Sequence, residues 1–355
     1  MEAEEKFMKI QLASLSICLI LCSYFSACNY SSHRIRANSN KEYSKFDSLR
    51  KSDSFKWLEE TKSTKVMDWV LDENRRALDY VESFPDYKTD YKNILSALND
   101  KERIPYPRIM GDKIYNFWQD DQHPRGILRR TPIKPFNSGN PKWETVLDID
   151  KLSKEEGIAW SYSALNCLPP QYRHCFIRLS PGGKDAGDIR EFDMQKKSFV
   201  KGGFHFSESK SSIRWLDKNT LLIANGIGKS NQTDSGYPNK LQILKRGGNL
   251  DKTPSILSVS DSDIAIWPMV FYRKDRLIAL ARKKPSFFKQ IYYLKDSKDN
   301  WVPLSIPSDA TVETIFDNKL VVLLRKDWNI SNDSKNSNRS IKPKQYAAGS
   351  LLLWD

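Results

Sequence analysis

The sequence has few of the residues that build metal sites and disulfide frameworks. It contains 5 cysteines and 4 histidines among 355 residues. Cys18, Cys22 and Cys28 fall in one N-terminal segment, so that only Cys167 and Cys175 remain in the rest of the chain. The histidines are scattered, whereas a zinc site needs three or four ligands close together. We therefore expect no metal site and no cofactor, and we interpret the last two cysteines as buried thiols on strands.

Two common glycine-rich catalytic loops are also missing. The nucleophile elbow of an α/β-hydrolase has the pattern G-x-S-x-G, because only glycine fits the tight turn that exposes the serine. Among the 15 glycines, Gly183 and Gly187 have this spacing, and the residue between them is Asp185. The segment 181–187 also lacks the Ser or Thr that follows the lysine of a phosphate-binding loop, so we interpret it as a turn between strands. We assign no catalytic residue.

Charge is not concentrated anywhere in the chain. The 57 Lys and Arg residues exceed the 44 Asp and Glu residues, which gives a formal net charge of +13. This excess is dispersed, with no basic block of five or more residues. Nucleic-acid-binding proteins gather Lys and Arg on one face, whereas a dispersed excess is typical of a solvated surface. We therefore expect no nucleic-acid partner.

Residues 1–28 have the pattern of a secretory signal. Lys6 and Lys9 precede an uncharged apolar run that ends in small residues before Cys28. A small residue before a cysteine is typical of a bacterial lipoprotein signal, in which the cysteine is acylated. An ordinary cleaved signal and a retained membrane anchor are the alternatives. We expect an exported chain, periplasmic or tethered to the membrane by lipid at Cys28, with a polar tether over 29–50. The chain would be cytoplasmic if this signal does not work.

The segment 51–103 is predicted to be helical. Its first helix begins behind Ser63, a suitable cap. One face of this helix is predicted to carry Val66, Trp69, Val70, Ala77, Tyr80 and Val81. A second helix is predicted from about Asp86 to Leu98. Over 104–355 the apolar period changes from 3.6 to 2, and no further helix is predicted there.

A loose repeat runs through this second region. Each copy is a charged turn followed by an apolar strand, and the copies begin at Asp112, Arg173, Asp217, Asp275 and Asp317. The steps of 61, 44, 58 and 42 residues are close to the length of a four-stranded propeller blade, about 40–50 residues. We therefore predict a mainly β chain, a β-propeller of about five blades behind the helical segment. A sandwich is the alternative, but it would need fewer strands than this region offers.

The sequence ends in or just after an apolar strand, at 349–355. A bare apolar edge strand promotes aggregation, so we expect the propeller to be incomplete. Aromatic residues such as Trp118, Trp160 and Trp215 are predicted to lie in the cores of the blades rather than to contact a substrate.

Several blocks of the sequence together resemble the prolyl oligopeptidase family of serine peptidases. The resemblance begins with WLEE at 57–60 and is closest at DKERIPYP, 100–107, and over 115–131. It continues through the blocks 143–150, 179–183, 190–193, 210–215, 235–238 and 324–351. The similarity thus covers nearly everything from about residue 50 to the end.

This resemblance implies a helical N-terminal segment, a seven-bladed propeller and a C-terminal α/β-hydrolase domain with a Ser-Asp-His triad. Members of the family cleave short peptides, typically after proline; their propeller restricts entry, and their N-terminal helices pack on the hydrolase domain. None of the triad positions can be placed on a residue of this sequence. The chain is therefore predicted to be the helical and propeller portion of such a peptidase, with the α/β-hydrolase domain absent, and inactive alone.

Two alternatives remain open at the level of sequence. The chain could be an exported propeller module that binds peptides or a partner without cleaving them. It could also be one half of a split peptidase, active only with a separate hydrolase-domain polypeptide, in which case peptide substrates are expected only after reconstitution.

Overall fold

The computed structural model describes residues 53–100, 106–273, 276–330 and 344–354. The predicted signal over 1–28, acylation at Cys28 and the tether over 29–50 lie outside these residues and stay predictions. The chain divides into two units, Met1–Tyr91 and Lys92–Asp355. Within the described ranges, every helix is too short or too polar to cross a membrane.

Both predicted N-terminal helices are confirmed. A 3₁₀ turn, Lys56–Glu59, precedes helix α1, Thr64–Glu82, and helix α2 spans Tyr87–Leu98. The hydroxyl of Ser63 accepts a hydrogen bond from the backbone N–H of Val66 at 3.3 Å. This bond satisfies one of the free N–H groups of the first turn, as the sequence predicts.

Among its described residues, the second unit contains five antiparallel sheets that form blades and one separate two-stranded hairpin. In blades 1 to 4 the strands of each sheet follow one another in the chain. Blade 1 contains β1 (Arg108–Met110), β2 (Lys113–Trp118), β3 (Ile127–Pro132) and β4 (Glu144–Asp148). Blade 2 contains β5 (Trp160–Cys167), β6 (His174–Pro181), β7 (Gly187–Asp193), β8 (Ser198–Phe199) and β9 (His205–Ser209). Blade 3 contains β10 (Ser212–Asp217), β11 (Thr220–Ala224), β12 (Lys240–Lys245) and β13 (Ser255–Ser258).

The last two sheets follow the same plan. Blade 4 contains β14 (Ala265–Tyr272), β15 (Leu277–Ser286), β16 (Lys289–Lys295) and β17 (Trp301–Pro303). Blade 5 contains β18 (Thr311–Phe316), β19 (Lys319–Leu323) and β22 (Leu351–Trp354). A separate hairpin is formed by β20 (Trp328–Ile330) and β21 (Lys344–Tyr346) between β19 and β22. This arrangement confirms the predicted five-bladed, mainly β fold.

The sequence repeat marks the second strand of every blade. Its copies lead into β2, β6, β11, β15 and β19, although Asp275, the predicted start of one copy, lies outside the described residues. The second strand is paired on both sides, and apolar residues dominate its first half in blades 3, 4 and 5. The turn before it is tight, as at Asp317 and Asn318, where φ is 45° and 61°. A charged turn followed by an apolar strand is therefore the signature of this position.

The apolar core lies between successive blades, in four clusters. Between blades 2 and 3, the rings of Phe176 and Trp215 stack with centroids 4.2 Å apart. Trp160 and Trp215 are buried, as predicted for blade core residues. Trp118 is only half-buried, and its indole N–H donates to Asp120 at 2.9 Å.

The prediction of no helix after residue 104 is wrong. Helices α3, Ile133–Asn137, and α4, Ile149–Glu156, lie in the connections next to β4. These helices have 5 and 8 residues, which is too short to show a clear apolar period. The start of α4 is nevertheless specified locally, because the carboxylate of Asp148 accepts from the backbone N–H of Lys151 at 2.9 Å.

The interpretation of Cys167 and Cys175 as separate buried thiols is also wrong, since they form a disulfide. Both are buried, and they lie directly opposite each other on β5 and β6. The hairpin brings their Cα atoms to 4.0 Å. Strand register decides this pairing, and the spacing of the two cysteines in the sequence does not reveal it.

Candidate interaction surfaces

Helix α1 carries an exposed apolar stripe. Met67, Leu71, Leu78 and Val81 recur at helical spacing and are all exposed, while Val66 is the only buried residue of the helix. Burying a large apolar side chain stabilises a protein by about 1.5–3 kcal/mol. The stripe therefore has the character of a contact surface and not of a solvated face.

Helix α2 carries a second stripe of the same kind. Tyr91, Ile94, Leu95 and Leu98 follow the spacing i, i+3, i+4, i+7, and all four are exposed. None of the residues of α2 is buried. An isolated helix of 12 residues is marginally stable in water, and most helical stability in proteins comes from packing of the apolar face. This face therefore also suits an apolar partner.

Blade 5 presents a third apolar surface. On β22 the side chains alternate: Leu352 and Trp354 pack against the cluster between blades 4 and 5, whereas Leu351 and Leu353 are 64% and 55% exposed. Phe316, at the end of β18, is 65% exposed on the same blade. In the described residues β22 pairs with β19 only. The outer face of blade 5 and its edge strand are thus open.

Part of the outer face of blade 1 is covered by residues of the same blade. The guanidinium of Arg129 lies between the rings of Trp118 and Trp143, 4.1 Å and 4.3 Å from their centroids, and its Nε donates to the Asn116 side chain at 2.8 Å. Burial lowers the pKa of Arg129 to about 10. Phe136 of α3 contacts the edge of Trp143. The two ends of the series of blades therefore differ in degree: among the described residues, blade 1 exposes Ile109 beside the Arg129 stack, whereas blade 5 exposes Leu351, Leu353 and Phe316 together.

Three described histidines each lie beside a carboxylate. The pairs are His123 Nδ1 with Asp120 at 3.0 Å, His174 Nδ1 with Glu191 at 3.3 Å, and His205 Nε2 with Asp188 at 2.7 Å. In the described ranges, no hydrogen bond joins these histidines to a serine, threonine or cysteine side chain. The arrangement of nucleophile and base that covalent catalysis needs is therefore not formed at these histidines.

No group of three or more His, Cys, Asp or Glu side chains that could hold a metal occurs in the described part of the chain. Of the sites named from the sequence, the acylation site Cys28 falls outside that part. Sequence reasoning expected the bare apolar strand of blade 5 but did not identify the exposed stripes on α1 and α2. Their signal was present as apolar periodicity, but periodicity does not show whether a face is covered.

Comparison with known proteins identifies the same fold and family. The family model for the prolyl oligopeptidase N-terminal beta-propeller domain matches residues 31–327. An uncharacterized peptidase of Sinorhizobium fredii is 35% identical over 283 residues, which cover 78% of this chain and 39% of that protein. An uncharacterized peptidase of Rickettsia prowazekii is 32% identical over 297 residues, covering 78% of this chain and 40% of that protein.

Among solved structures, a post-proline cleaving enzyme from Rickettsia typhi superposes with a TM-score of 0.72 at 30% sequence identity. The superposition covers 83% of this chain and 43% of that enzyme. The chain thus spans about two fifths of the length of the curated relatives that it matches.

Proposed function

Because this chain belongs to the prolyl oligopeptidase family, as its helical and propeller portion, we propose that it serves in a peptidase that cleaves short peptides after proline. The chain alone is inactive, since no catalytic triad can be placed on its sequence. Activity requires a hydrolase domain that brings the serine, aspartate and histidine. The observation that carries this proposal is that α1, α2 and blade 5 each present an open apolar surface.

The three surfaces suit two kinds of neighbour. The stripes on α1 and α2 match a hydrolase domain, on which the N-terminal helices of this family pack. The outer face of blade 5, with Leu351, Leu353 and Phe316, matches a further blade, because neighbouring blades bury such faces against each other. A self-sufficient propeller module is disfavoured, since it would leave Leu351, Leu353 and Phe316 of blade 5 in water.

Reconstitution tests the proposal. The purified chain is assayed on a proline-containing fluorogenic peptide, alone and mixed with the part of the Sinorhizobium relative that this chain does not span. We expect no turnover by the chain alone and turnover by the mixture that a serine-directed inhibitor abolishes. Inhibitor-sensitive turnover by the chain alone would show that the triad lies within it.

A matched pair of variants makes this test specific to α1. Leu71→Glu with Leu78→Glu removes two exposed apolar side chains of the stripe, so the chain alone should unfold at an unchanged urea concentration. In the mixture, each change should weaken association by about tenfold or more, because about 1.5 kcal/mol of burial is lost. Asp79→Ala, on the polar face of the same helix, is the control and should reconstitute normally.

We also propose that the chain is exported, either into the periplasm or to a membrane through lipid on Cys28. The disulfide between Cys167 and Cys175 supports this location, since disulfides persist in oxidising compartments and are rare in the cytosol. Cell fractionation with incorporation of a labelled fatty acid tests it. Label that disappears in Cys28→Ser supports the lipid tether, whereas an unlabelled chain in the cytosolic fraction contradicts export.

A further inference from the structure

A cavity of about 840 Å³ opens between blades 4 and 5. It is formed by the turn between β15 and β16, the connection that leads into β18, and the segment that follows β19. Sites for small ligands have volumes of about 300–1,000 Å³. The cavity is therefore large enough for a short peptide segment.

Cations dominate the lining of this cavity. It contains Lys284, Lys289, Arg325 and Lys326, and a single acid, Asp309. Lys326 Nζ lies 3.8 Å from the Asp309 carboxylate and is partly neutralised by it. In the described residues, no carboxylate lies within ion-pair distance of the other three cations. Among the described residues, these three cations thus give the cavity a positive charge without a paired carboxylate, which suits an anionic ligand.

An aromatic surface stands beside these cations. Phe287 and Phe288, at the turn between β15 and β16, are 70% and 80% exposed, and their rings meet edge to face at 4.9 Å. Lys284 Nζ lies 4.8 Å from the centroid of Phe287. Two adjacent exposed phenylalanines contribute little to the stability of the chain, so they have the character of ligand contacts.

Within the cavity, the start of β16 is fixed to the connection that leads into β18. Gln290, at the start of β16, donates its side-chain N–H groups to the Ala310 carbonyl at 2.9 Å and to the Thr311 hydroxyl at 3.1 Å. Its backbone N–H donates to the Ser308 carbonyl. A ligand would therefore meet a preformed site and would not have to order it.

We propose that this cavity binds the carboxylate of a peptide, with an apolar part of the same peptide against Phe287 and Phe288. The proposal rests on the proposed function, because it assigns the anionic group of a substrate peptide to blades 4 and 5. The carboxylate can come from an acidic side chain or from the C-terminus of the peptide. The acidic surface of a protein domain is the competing occupant, but a concave site of this size favours a peptide segment.

Calorimetric titration of the full chain with three hexapeptides tests the proposal. The first contains one phenylalanine and two glutamates and is blocked at both ends. The second has glutamines in place of the glutamates, and the third is this glutamine peptide with a free C-terminal carboxylate. We expect the first or the third to bind at least about tenfold more tightly than the second, and more weakly as salt increases. Equal binding of all three, or no binding, overturns the proposal.

Charge-matched variants locate the site. Lys284→Ala with Lys289→Ala removes two cations from one wall, and Arg325→Ala with Lys326→Ala removes two from the other. Lys201→Ala with Lys252→Ala removes two exposed cations from blades 2 and 3 and leaves the cavity intact. Circular dichroism establishes whether each variant is folded. If one cavity variant fails to fold, the other still tests the assignment.

We expect both cavity variants to lose binding of the carboxylate peptide by about tenfold, while the control keeps it. Equal binding by a folded cavity variant and the control contradicts the assignment to this cavity. The titration needs no hydrolase partner. A failure of peptide binding can therefore be distinguished from a failure of reconstitution.

Discussion

Glu191 is a buried carboxylate that connects blade 2 to blade 3. Its two oxygens accept from the guanidinium of Arg246 at 2.7 Å and 3.0 Å, and one of them also accepts from the backbone N–H of Phe204 at 2.9 Å. Burial by itself would raise the pKa of Glu191, but the bonds from Arg246 and Phe204 outweigh it and hold the pKa below its usual range. The carboxylate is therefore charged in the folded chain and acts as an ionic link between blades.

Glu191→Gln should destabilise the chain by about 2–3 kcal/mol, because it leaves Arg246 without its carboxylate and weakens three charge-assisted hydrogen bonds. Urea unfolding followed by tryptophan fluorescence measures this change. Glu155→Gln, at an exposed position on α4, is the control and should change the free energy of unfolding by less than about 0.5 kcal/mol. Equal effects of the two variants would show that the link contributes nothing.

Glu144 makes a comparable link between blades 1 and 2, in a more exposed position. Its carboxylate accepts from Arg130 at 2.7 Å and lies 2.9 Å from Lys197 Nζ. The hydrogen bond from Arg130, followed by that from Lys197, lowers the pKa of Glu144 from 4.5 to about 2. A lowered pKa in the folded state means that the link stabilises the chain fully above about pH 4.5 and is lost as the pH falls towards about 2.

The difference in unfolding free energy between the natural chain and Glu144→Gln should therefore depend on pH. We expect the difference to be constant from about pH 7 down to about pH 5 and to shrink at lower pH. Urea titrations of both proteins at several pH values measure it. A difference that stays constant down to about pH 3 would mean that the pKa of Glu144 is not shifted.

At the scale of elements, the hairpin of β5 and β6 is stabilised by a disulfide in addition to the backbone hydrogen bonds between its strands. The disulfide joins Cys167 to Cys175 across a sequence separation of 8 residues. A crosslink that closes such a short loop stabilises the folded chain by about 2.5 kcal/mol in the chain-entropy description. The hairpin forms the first two strands of blade 2, so this contribution acts on that blade.

Cys167→Ala with Cys175→Ala should lower the free energy of unfolding by about 2.5 kcal/mol. A reductant should lower the urea midpoint of the natural chain to a similar extent and leave the variant unchanged. Alkylation of the unfolded natural chain gives an independent measurement. If the natural chain, unfolded without a reductant, shows two more reactive thiols than the double variant, the disulfide between Cys167 and Cys175 does not form.

Strand β22 shows how alternation separates a core face from an open one. Leu352 packs between blades 4 and 5, whereas its neighbours Leu351 and Leu353 lie on the outer face. A change of one position along the strand therefore moves a side chain from core to surface. The same leucine-rich sequence has two roles on its two faces.

At the scale of the whole molecule, the open face of blade 5 should make the isolated chain associate with itself. Leu351→Ser with Leu353→Ser removes two exposed apolar side chains of this face, and we expect less light scattering at an unchanged urea midpoint. Leu352→Ser is the control on the opposite face of the same strand and should destabilise the chain instead. If Leu352→Ser reduces light scattering as much as the double variant, the outer face of blade 5 is not the surface through which the chain associates with itself.

Much of this architecture was predictable from the sequence because it depends on local periodicity. Ser63 and the apolar positions of α1 specify a helix, and the five charged turns specify five second strands, each within about 20 residues of chain. Helices α3 and α4 escaped prediction because they are too short to show a period. The disulfide escaped because Cys167 and Cys175 meet only when β5 and β6 adopt their register.

The sequence by itself determined the family, the helical segment and the number of blades, since each is written in motifs and periods of neighbouring residues. Only the tertiary structure decided which apolar faces are covered. Part of the outer face of blade 1 is covered by the Arg129 stack, whereas Leu351 and Leu353 on blade 5 are exposed. Burial depends on residues that are far apart in the chain. In the same way, folding brings Arg325 to the cavity that Lys284 and Lys289 line. Periodicity shows that a face is apolar, and packing alone shows whether it has a neighbour.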